Sequence, residues 1–366
     1  MAGVSALDFV VDRDDLHATR LVDAEVPDAS ALEDGAVLVE VERFGFSANN
    51  ITYASLGRTM RYWDFFPRSD GWGRVPVWGF ARVAASAREG IGEGERVFGY
   101  LPMSTHVVLR PDRVSPAGFV DAAPHRAELP GVYQRYARLG RAEPADPASE
   151  DQDALWRPLF MTSFGAADFL AGKELFGARR IVLSSASSKT AMGVAFLLPG
   201  HVGDVELIGL TSPSNAAFCE RVDYYGGVLS YDDVERIPLD GPLALVDFAG
   251  NERLLGEIRR HAGDMLCRIV VIGATHWDKR APEAQLGGED TEFFFLPDWM
   301  EQRSRELGGG EFRRRYGEAW TAFLPTVEQW MRVEYRTGPE AVDDTYRHFL
   351  DGVVDPAVGY ILSLRT

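Results

Sequence analysis

Short runs of β-forming residues dominate the first part of the chain. In these runs Val, Phe, Tyr and Trp are frequent, and Gly, Pro or Asp residues separate one run from the next. The runs are AVLVEVERFGF, VPVWGFARVAAS, GERVFGY and HVVLRP. Closely spaced short strands with such punctuation predict a small β-barrel or β-sandwich.

From about Trp156 the pattern changes to continuous apolar runs that alternate with helical stretches. The apolar runs are RRIVLSS, DVELIGLTS, PLALVDFAG and CRIVVIGAT, and the helical stretches include SNAAFCERVDYYGG and ERLLGEIRRHAG. Apolar strands that alternate with helices indicate a parallel sheet of βαβ units. The acidic stretch at 143–153 predicts a surface linker between the two regions. From Thr291 the pattern predicts amphipathic helices and then one late strand, GYILSL.

Composition narrows the class of protein. A chain of 366 residues suggests two domains, at about 150 residues per domain. The formal net charge of −17 would repel a phosphate backbone, so nucleic acid is not an expected partner. No apolar run approaches the roughly 20 residues that span a bilayer, and the N-terminus lacks the features of a signal peptide. We therefore expect a cytoplasmic protein with no membrane partner.

Metal chemistry is not expected from the sequence. Only two cysteines are present, Cys219 and Cys267, and the seven histidines include no His-x-x-x-His pair. There is accordingly no disulfide framework and no Cys-x-x-Cys metal lobe. The two thiols are expected to be buried small hydrophobic groups.

Residues 179–193, RRIVLSSASSKTAMG, place small hydroxylated residues between two apolar runs. A phosphate loop would use Lys189 and Thr190, but leucine and serine stand at its glycine positions. A nucleophile elbow centred on Ser187 would need glycines where serine and lysine stand. Two interpretations remain open, a dinucleotide-binding turn at a helix N-terminus and an ordinary turn whose serines cap the helix.

Two segments of the β-rich region carry a family resemblance. They are VLVEVERFGFSANNITYASLG and VPVWGFARVAASAREGIGEGERVFGY. With the βαβ region and the late strand, they resemble the medium-chain dehydrogenase/reductase superfamily, especially its zinc-free quinone and enoyl reductases. The motifs YWDFFP and GERVFGYLPMS look closest to a little-characterised branch. Asn50 stands where the family often has aspartate, and Trp78, Gly79 and Phe80 replace its glycine-histidine-glutamate signature.

The resemblance implies a domain organisation that spans nearly the whole chain. It predicts an α/β protein with a GroES-like β-rich domain at 1–155, which has an insertion near 115–155. A Rossmann-type, doubly wound parallel-sheet domain is predicted at 156–290, and residues 291–366 are predicted to return to the first domain. The family resemblance also favours a homodimer. The amphipathic stretch at 121–140, within the inserted region, is predicted to be either a substrate lid or a packing surface.

The resemblance also implies a dinucleotide site on the turn at 179–193, where serines, a lysine and an alanine replace the usual glycines. After the next strand, the segment IGLTSPSN has no carboxylate to repel a 2′-phosphate, so NADPH is favoured over NADH as cofactor. Helix capping is the alternative role for these residues. The predicted cofactor-binding residues are Ser185, Ser187, Ser188, Lys189, Thr190, Thr211, Ser212, Asn215 and Tyr231.

Candidate catalytic residues follow from the chemistry of zinc-free reductases. In these enzymes hydride goes to the β-carbon of an enone, and a positioned donor stabilises the developing enolate. Tyr53 and Tyr62 lie in the segment that resembles the substrate loop, and a phenol stays neutral near pH 7. Asn50 could hold the nicotinamide ribose or orient the substrate carbonyl. His276 follows a βαβ strand, where ligands bind in open α/β sheets. For each residue a purely structural role is the alternative.

These observations predict an NADPH-dependent oxidoreductase that reduces an α,β-unsaturated carbonyl or a quinone-type small molecule. Two rival functions remain open. One is a cofactor-independent carbon–carbon lyase or hydrolase, because the turn lacks the usual glycines. The other is a non-catalytic nucleotide-binding protein.

Overall fold

The computed structural model describes residues 6–24, 26–142, 146–248, 250–272 and 290–366. The chain divides into two compact units. The first consists of the described residues of Met1–Leu155 together with Arg332–Thr366, and the second consists of those of Trp156–Met331. The chain thus leaves the first unit at Trp156 and returns to it at Arg332.

Ten strands and one helix form the N-terminal part of the first unit. They are β1 (Leu7–Asp12), β2 (Thr19–Asp23), β3 (Val37–Phe46), α1 (Ala48–Ser55), β4 (Trp72–Gly73), β5 (Pro76–Ser86), β6 (Arg96–Pro102), β7 (His106–Leu109), β8 (Pro111–Ser115), β9 (Gly118–Asp121) and β10 (Arg135–Gly140). Each of the four β-type runs in the sequence overlaps one of these strands, so the predicted β-rich region is confirmed.

Helices and strands alternate through most of the remaining chain. They are α2 (Pro147–Gly172), β11 (Arg180–Leu183), α3 (Lys189–Val202), β12 (Glu206–Thr211), α4 (Pro213–Val222), β13 (Gly227–Ser230), β14 (Leu243–Asp247), α5 (Glu252–Ala262), β15 (Leu266–Ile272), β16 (Thr291–Phe294), α6 (Leu296–Leu307), α7 (Gly309–Val327), β17 (Arg332–Thr337), α8 (Pro339–Leu350) and β18 (Val358–Ser363). No helix in the described part of the chain is long and apolar enough to cross a membrane.

Two sheets build the first unit. The larger has the strand order β17-β18-β3-β5-β6-β10-β9-β8, with β7 also paired to β3, and the smaller has the order β2-β1-β4. The late strand β18 pairs antiparallel with β3, so the C-terminal residues complete the sheet that the N-terminal residues begin. In the long strand β3 most side chains are buried, which agrees with the apolar character of most of its residues.

The start of α2 is packed against the first unit's sheet. A Cβ at Gly45 in β3 would lie 2.4 Å from the carbonyl oxygen of Ala154, so only glycine fits there. The predicted surface linker is therefore wrong for Pro147–Asp153, which forms the first turns of α2. Glu150 is buried because both its carboxylate oxygens accept hydrogen bonds from Arg96, at 2.7 and 2.8 Å. The acidic residues give this segment the composition of a solvated linker, but in the fold they pair with buried guanidinium groups.

The second unit contains a six-stranded sheet in which every neighbouring pair is parallel. Its strand order is β13-β12-β11-β14-β15-β16. Counted from β11, this is the order 3-2-1-4-5-6 of the dinucleotide-binding Rossmann sheet. Its central strands β11 and β14 are buried along their whole length, which explains why their sequences are continuously apolar. The predicted fold class is confirmed.

Candidate functional site

A turn of five residues, Ser184 to Ser188, joins the end of β11 to the start of α3; we call it the serine turn. Ser188 is the N-cap of α3, and its hydroxyl accepts a hydrogen bond from the Ala191 N–H at 3.2 Å. Ser185 has a φ of 49°, in the left-handed region that favours glycine. A side chain in this region costs about 1–2 kcal/mol. The position that the resemblance aligns with a glycine therefore keeps a glycine-like conformation.

The side chain of Ser184 ties the serine turn to the neighbouring strand β14. Its hydroxyl donates to Asp247 Oδ1 at 2.6 Å and accepts from the Phe248 N–H at 2.9 Å. The other oxygen of Asp247 accepts from the Gly250 N–H at 2.7 Å. Asp247 is fully buried, so these hydrogen bonds replace the water that its carboxylate would otherwise need.

Two tyrosines from outside the turn bond its backbone. The Ser185 N–H donates to the Tyr231 hydroxyl at 3.0 Å, and the Tyr225 hydroxyl donates to the Ala186 carbonyl at 2.7 Å. The predicted residue Tyr231 therefore lies at the serine turn and supports it. Tyr225 was not predicted as a site residue. Nothing in the sequence around it indicates that its hydroxyl bonds a carbonyl 39 residues away.

The ends of β11 and β12 bring three predicted cofactor residues together. The Ser187 hydroxyl accepts from Thr211 Oγ1 at 3.3 Å and from Asn215 Nδ2 at 3.0 Å. Thr211 is the last residue of β12, and Asn215 lies in the first turn of α4. Nearby, the hydroxyls of Ser212 and Ser214 are 2.9 Å apart. These groups are uncharged donors and acceptors, as the sequence predicted for this end of the sheet.

The two remaining predicted cofactor residues begin α3. Lys189 is its first residue, and the Nζ atom lies 5.6 Å from the ring centroid of the buried Trp156. The carbonyl of Thr190 accepts from the Ser163 hydroxyl at 2.9 Å. A Cβ at Gly193 would lie 2.4 Å from that hydroxyl oxygen, so the glycine lets α3 approach α2 closely. The first N–H groups of a helix have no partner within the helix and favour an anion.

In the first unit, aromatic residues form what we call the tyrosine cluster, made of Tyr53, Tyr62, Tyr100, Tyr133 and Trp78. The ring centroids of Tyr53 and Tyr62 are 4.6 Å apart, and those of Tyr100 and Tyr133 are 4.8 Å apart. The Tyr133 ring also lies 6.2 Å from Tyr53 and 5.9 Å from Tyr62. The structure therefore brings both predicted tyrosines together and adds three aromatic residues to them.

Burial controls the ionisation of the tyrosine cluster. It raises the pKa of Tyr53 well above its usual value, and the nearby Tyr133 raises it further. Burial likewise raises the pKa of Tyr62, with an added contribution from Tyr53. Both phenols therefore remain neutral O–H groups throughout the neutral pH range.

One polar group of the tyrosine cluster, the Tyr100 hydroxyl, is shielded from solvent and has no hydrogen-bond partner among the described residues. Its ring lies 5.2 Å from that of Trp78, whose side chain interacts with Tyr53. Buried donors without an acceptor are rare in folded proteins and commonly mark a place for water or a ligand. Tyr100 was not predicted as a site residue, because its strand reads in sequence as ordinary buried core.

The other two predicted catalytic residues are Asn50, which the structure describes, and His276, which it does not. Asn50 is buried, and its side chain accepts from the Ser47 N–H at 2.8 Å and donates to the Pro76 carbonyl at 3.0 Å. It thus caps α1 and links it to the start of β5. His276 lies outside the described residues. Among those that the structure does describe, no group of three or more His, Cys, Asp or Glu side chains could hold a metal ion.

Solved structures share this fold along nearly their whole length. CurA from Vibrio vulnificus matches with 13% identity and a TM-score of 0.61, covering 99% of each chain. In complex with NADPH, CurA matches with 11% identity and a TM-score of 0.60, covering 98% of this chain and 99% of that one. A mutant form of enoyl thioester reductase from Candida tropicalis matches with 11% identity and a TM-score of 0.54, covering 98% and 99%.

The human synaptic vesicle membrane protein VAT-1 homolog-like protein has the same fold, with 14% identity, a TM-score of 0.53 and 99% coverage of both chains. These likenesses show that the chain shares its fold with these proteins, as the resemblance found in the sequence predicted. A comparison with curated protein sequences found no match. The chain belongs to the family described as "Protein of unknown function (DUF2855)", which matches residues 44–355.

Proposed function

We propose that this protein is an NADPH-dependent reductase of an α,β-unsaturated carbonyl or quinone-type small molecule. The observation that carries the proposal is the serine turn at the start of α3, on the first strand of a sheet with the order 3-2-1-4-5-6. In such sheets a dinucleotide pyrophosphate binds at this helix N-terminus. The complex of CurA with NADPH supports the choice of cofactor.

The uncharged end of β12 supports NADPH over NADH. There the Ser187 hydroxyl accepts hydrogen bonds from the side chains of Thr211 and Asn215, and no carboxylate takes part in these bonds. A carboxylate at this place would accept the ribose 2′-hydroxyl of NADH and repel the 2′-phosphate of NADPH. Lys189, the first residue of α3, adds a positive charge at the N-terminus of this helix.

The tyrosine cluster supplies the proton in the proposed reaction. NADPH, when bound, supplies a hydride to the β-carbon of the enone. The electrons of the carbon–carbon double bond then move toward the carbonyl oxygen, which becomes an enolate. The neutral phenol of Tyr53 or Tyr62 donates a hydrogen bond to this oxygen or protonates the enolate, and water restores the phenol proton. The raised pKa values of both groups keep the O–H available.

A second candidate is a cofactor-free lyase or hydrolase, and one observation favours it. The side chains of Ser184, Ser187 and Ser188 already bond other groups of the chain, and the Ser185 N–H already bonds Tyr231. A pyrophosphate would then depend on the remaining N–H groups of the turn and of the first helical turn.

A nucleotide titration of the melting temperature separates the two candidates. NADPH that binds only the folded protein adds about 2.7 kcal/mol at a hundredfold excess over its Kd. We expect a larger shift with NADPH than with NADH. Lys189→Ala should reduce the shift. The matched control Lys173→Ala, whose ammonium pairs with Glu292 at 3.2 Å, should not.

Two outcomes of this titration would refute the reductase. One is the absence of any shift with either nucleotide at saturating concentration. The other is substrate cleavage by protein stripped of nucleotide, which mass spectrometry would record as a broken bond. A reductase product instead gains two hydrogen atoms.

A further inference from the structure

A cavity lies in the first unit, and its wall includes Phe65, whose ring also contacts Tyr100 and Tyr133 of the tyrosine cluster. Its volume is about 820 Å³, within the range of small-molecule sites. Its apolar walls include Phe65, Phe66, Pro67 and Val107, and its polar walls include the side chains of Arg68, Arg74, Arg126, His106 and His125. None of these residues has a part in the proposed reduction.

The buried carboxylates of this cavity are already paired within its walls. Asp8 accepts from the Ser104 hydroxyl at 2.5 Å and from Arg68 Nη1 at 2.9 Å. Asp121 lies 2.9 Å from Arg126 Nη1 and also accepts from two backbone N–H groups. A cationic ligand would have to displace these partners. Among the described residues that line the cavity, the other carboxylates are Asp23, which is exposed, and Asp70, which pairs with Arg68 at 2.7 Å.

Arg74 is the cation that the cavity leaves least compensated. Only a fifth of its side chain is exposed, and its hydrogen bonds among the described residues go to the carbonyls of Phe66 and Pro67. Among the described residues, its nearest carboxylate oxygen is that of Asp8, 3.6 Å from Nη1. Burial lowers the pKa of Arg74, the carboxylate of Asp8 opposes this shift, and the positive charges of Arg68 and Arg126 add to it. The fold therefore holds a largely buried guanidinium whose charge is compensated only in part, and a further anion would stabilise it.

The two histidines of the cavity add hydrogen-bonding capacity without adding charge. Burial lowers the pKa values of His106 and His125, so both rings are neutral at pH 7. His125 contacts the Phe65 carbonyl at 3.2 Å, and His106 contacts the Thr105 hydroxyl at 3.0 Å. A site with one partly compensated guanidinium, neutral imidazoles and aromatic walls suits a single negative charge on an apolar body.

We propose that this cavity binds a small organic carboxylate, with its negative group on Arg74 and its apolar part against Phe65, Phe66 and Val107. The planar guanidinium matches a carboxylate in a bidentate geometry. This site is independent of the proposed reductase activity, because no residue of the serine turn or of the tyrosine cluster lines it.

Three probes with the same ring and different charges test the proposal by calorimetry at pH 7. Benzoate is the expected ligand, benzamide is its neutral counterpart, and benzylammonium carries the opposite charge. We expect saturable binding of benzoate and none of the other two over the same concentration range. Arg74→Met keeps the apolar stem, removes the charge and should weaken benzoate binding by about 10- to 100-fold, the range for a hydrogen bond to a charged group.

Two further variants keep the test decisive. Arg113→Met is the matched control, since that side chain is 80% exposed in the same unit and does not line the cavity; it should bind benzoate like the unaltered protein. If Arg74→Met fails to fold, Arg74→Lys retains the charge without the planar donor pair and should bind benzoate more weakly than arginine. The proposal would be overturned if benzoate did not bind saturably, or if a folded Arg74 variant bound benzoate as tightly as the unaltered protein. It would also be overturned if benzamide bound as tightly as benzoate or if benzylammonium bound at all. Binding of inorganic phosphate by a protein that does not bind benzoate would overturn it as well.

Discussion

In the serine turn of the second unit, the hydroxyls of Ser184, Ser187 and Ser188 each bond another group of the chain. In the tyrosine cluster of the first unit, the Tyr100 O–H bonds none of the described residues. Paired polar groups add to stability, whereas a buried donor without a partner costs about 1–3 kcal/mol. The serine turn is therefore built for stability, and the tyrosine cluster retains a donor that an acceptor-bearing ligand would satisfy.

The largest expected effect concerns the phenols of the tyrosine cluster. Tyr53→Phe or Tyr62→Phe removes one hydroxyl while the ring packing remains. Because loss of a general acid costs about 10²- to 10⁴-fold in rate, one of the two variants should reduce an enone correspondingly more slowly. The raised pKa values predict that the activity of the unaltered protein does not fall through phenol ionisation below pH about 10. The measurement is the steady-state rate against pH.

The control in this experiment is the melting-temperature shift with NADPH, which both phenylalanine variants should retain. Full activity in both would contradict the assignment of the proton donor and leave the nucleotide site untouched. Loss of the NADPH shift together with activity would instead point to a damaged fold.

A smaller effect compares a paired hydroxyl with an unpaired one. Ser184→Ala leaves the buried Asp247 without one of its donors and should lower the free energy of unfolding by about 1–3 kcal/mol. Tyr100→Phe also removes one hydroxyl, but this group bonds no described residue, so the free energy should stay unchanged or rise. Urea denaturation of both variants measures the difference. Equal losses would mean that water or another group satisfies Tyr100 in solution.

A still smaller effect tests whether the Cβ of Ser188 hinders the nucleotide. Loss of an N-cap hydroxyl costs about 1 kcal/mol in Ser188→Ala, and only a few tenths in Ser188→Gly. The glycine variant also removes the Cβ at the position where the superfamily usually has glycine. We therefore expect a stronger NADPH shift in Ser188→Gly than in Ser188→Ala. A weaker shift would show that the side chain itself contributes to binding.

The smallest expected effect is that of metal removal. Treatment with a chelator should change neither activity nor melting temperature, because the described residues form no cluster of metal ligands. Stoichiometric zinc in elemental analysis, together with a requirement for zinc in turnover, would contradict this prediction.

The sequence allowed the two kinds of architecture to be predicted because each leaves a periodic signature. Continuous apolar strands such as IVL in β11 indicate burial on both faces, as in a parallel sheet that helices cover. The prediction failed at Pro147–Asp153, where acidic residues suggested a linker. Their arginine partners lie in β3 and β6, so the sequence near α2 carries no sign of them.

Within the candidate sites, the sequence could be used to find residue types but not the partners of each residue. Tyr53 and Tyr62 were predicted from the substrate-loop resemblance, and they lie nine positions apart in one segment. Tyr100 and Tyr133, which complete the cluster, come from other parts of the chain. Asn50 stays a prediction as a ligand contact, and the structure adds that its amide bonds Ser47 and Pro76.

The sequence by itself determined the elements, the fold class and the absence of a carboxylate in the segment after β12, because these depend on local periodicity and residue type. Only the tertiary structure decided which polar groups are paired. The Ser185 N–H meets the Tyr231 hydroxyl across 46 positions, and Ser184 meets Asp247 across 63. Such contacts depend on strand order and on the approach of distant turns. Hydrogen bonds act over about 3 Å, so small differences in packing decide whether a donor is paired or left for a ligand.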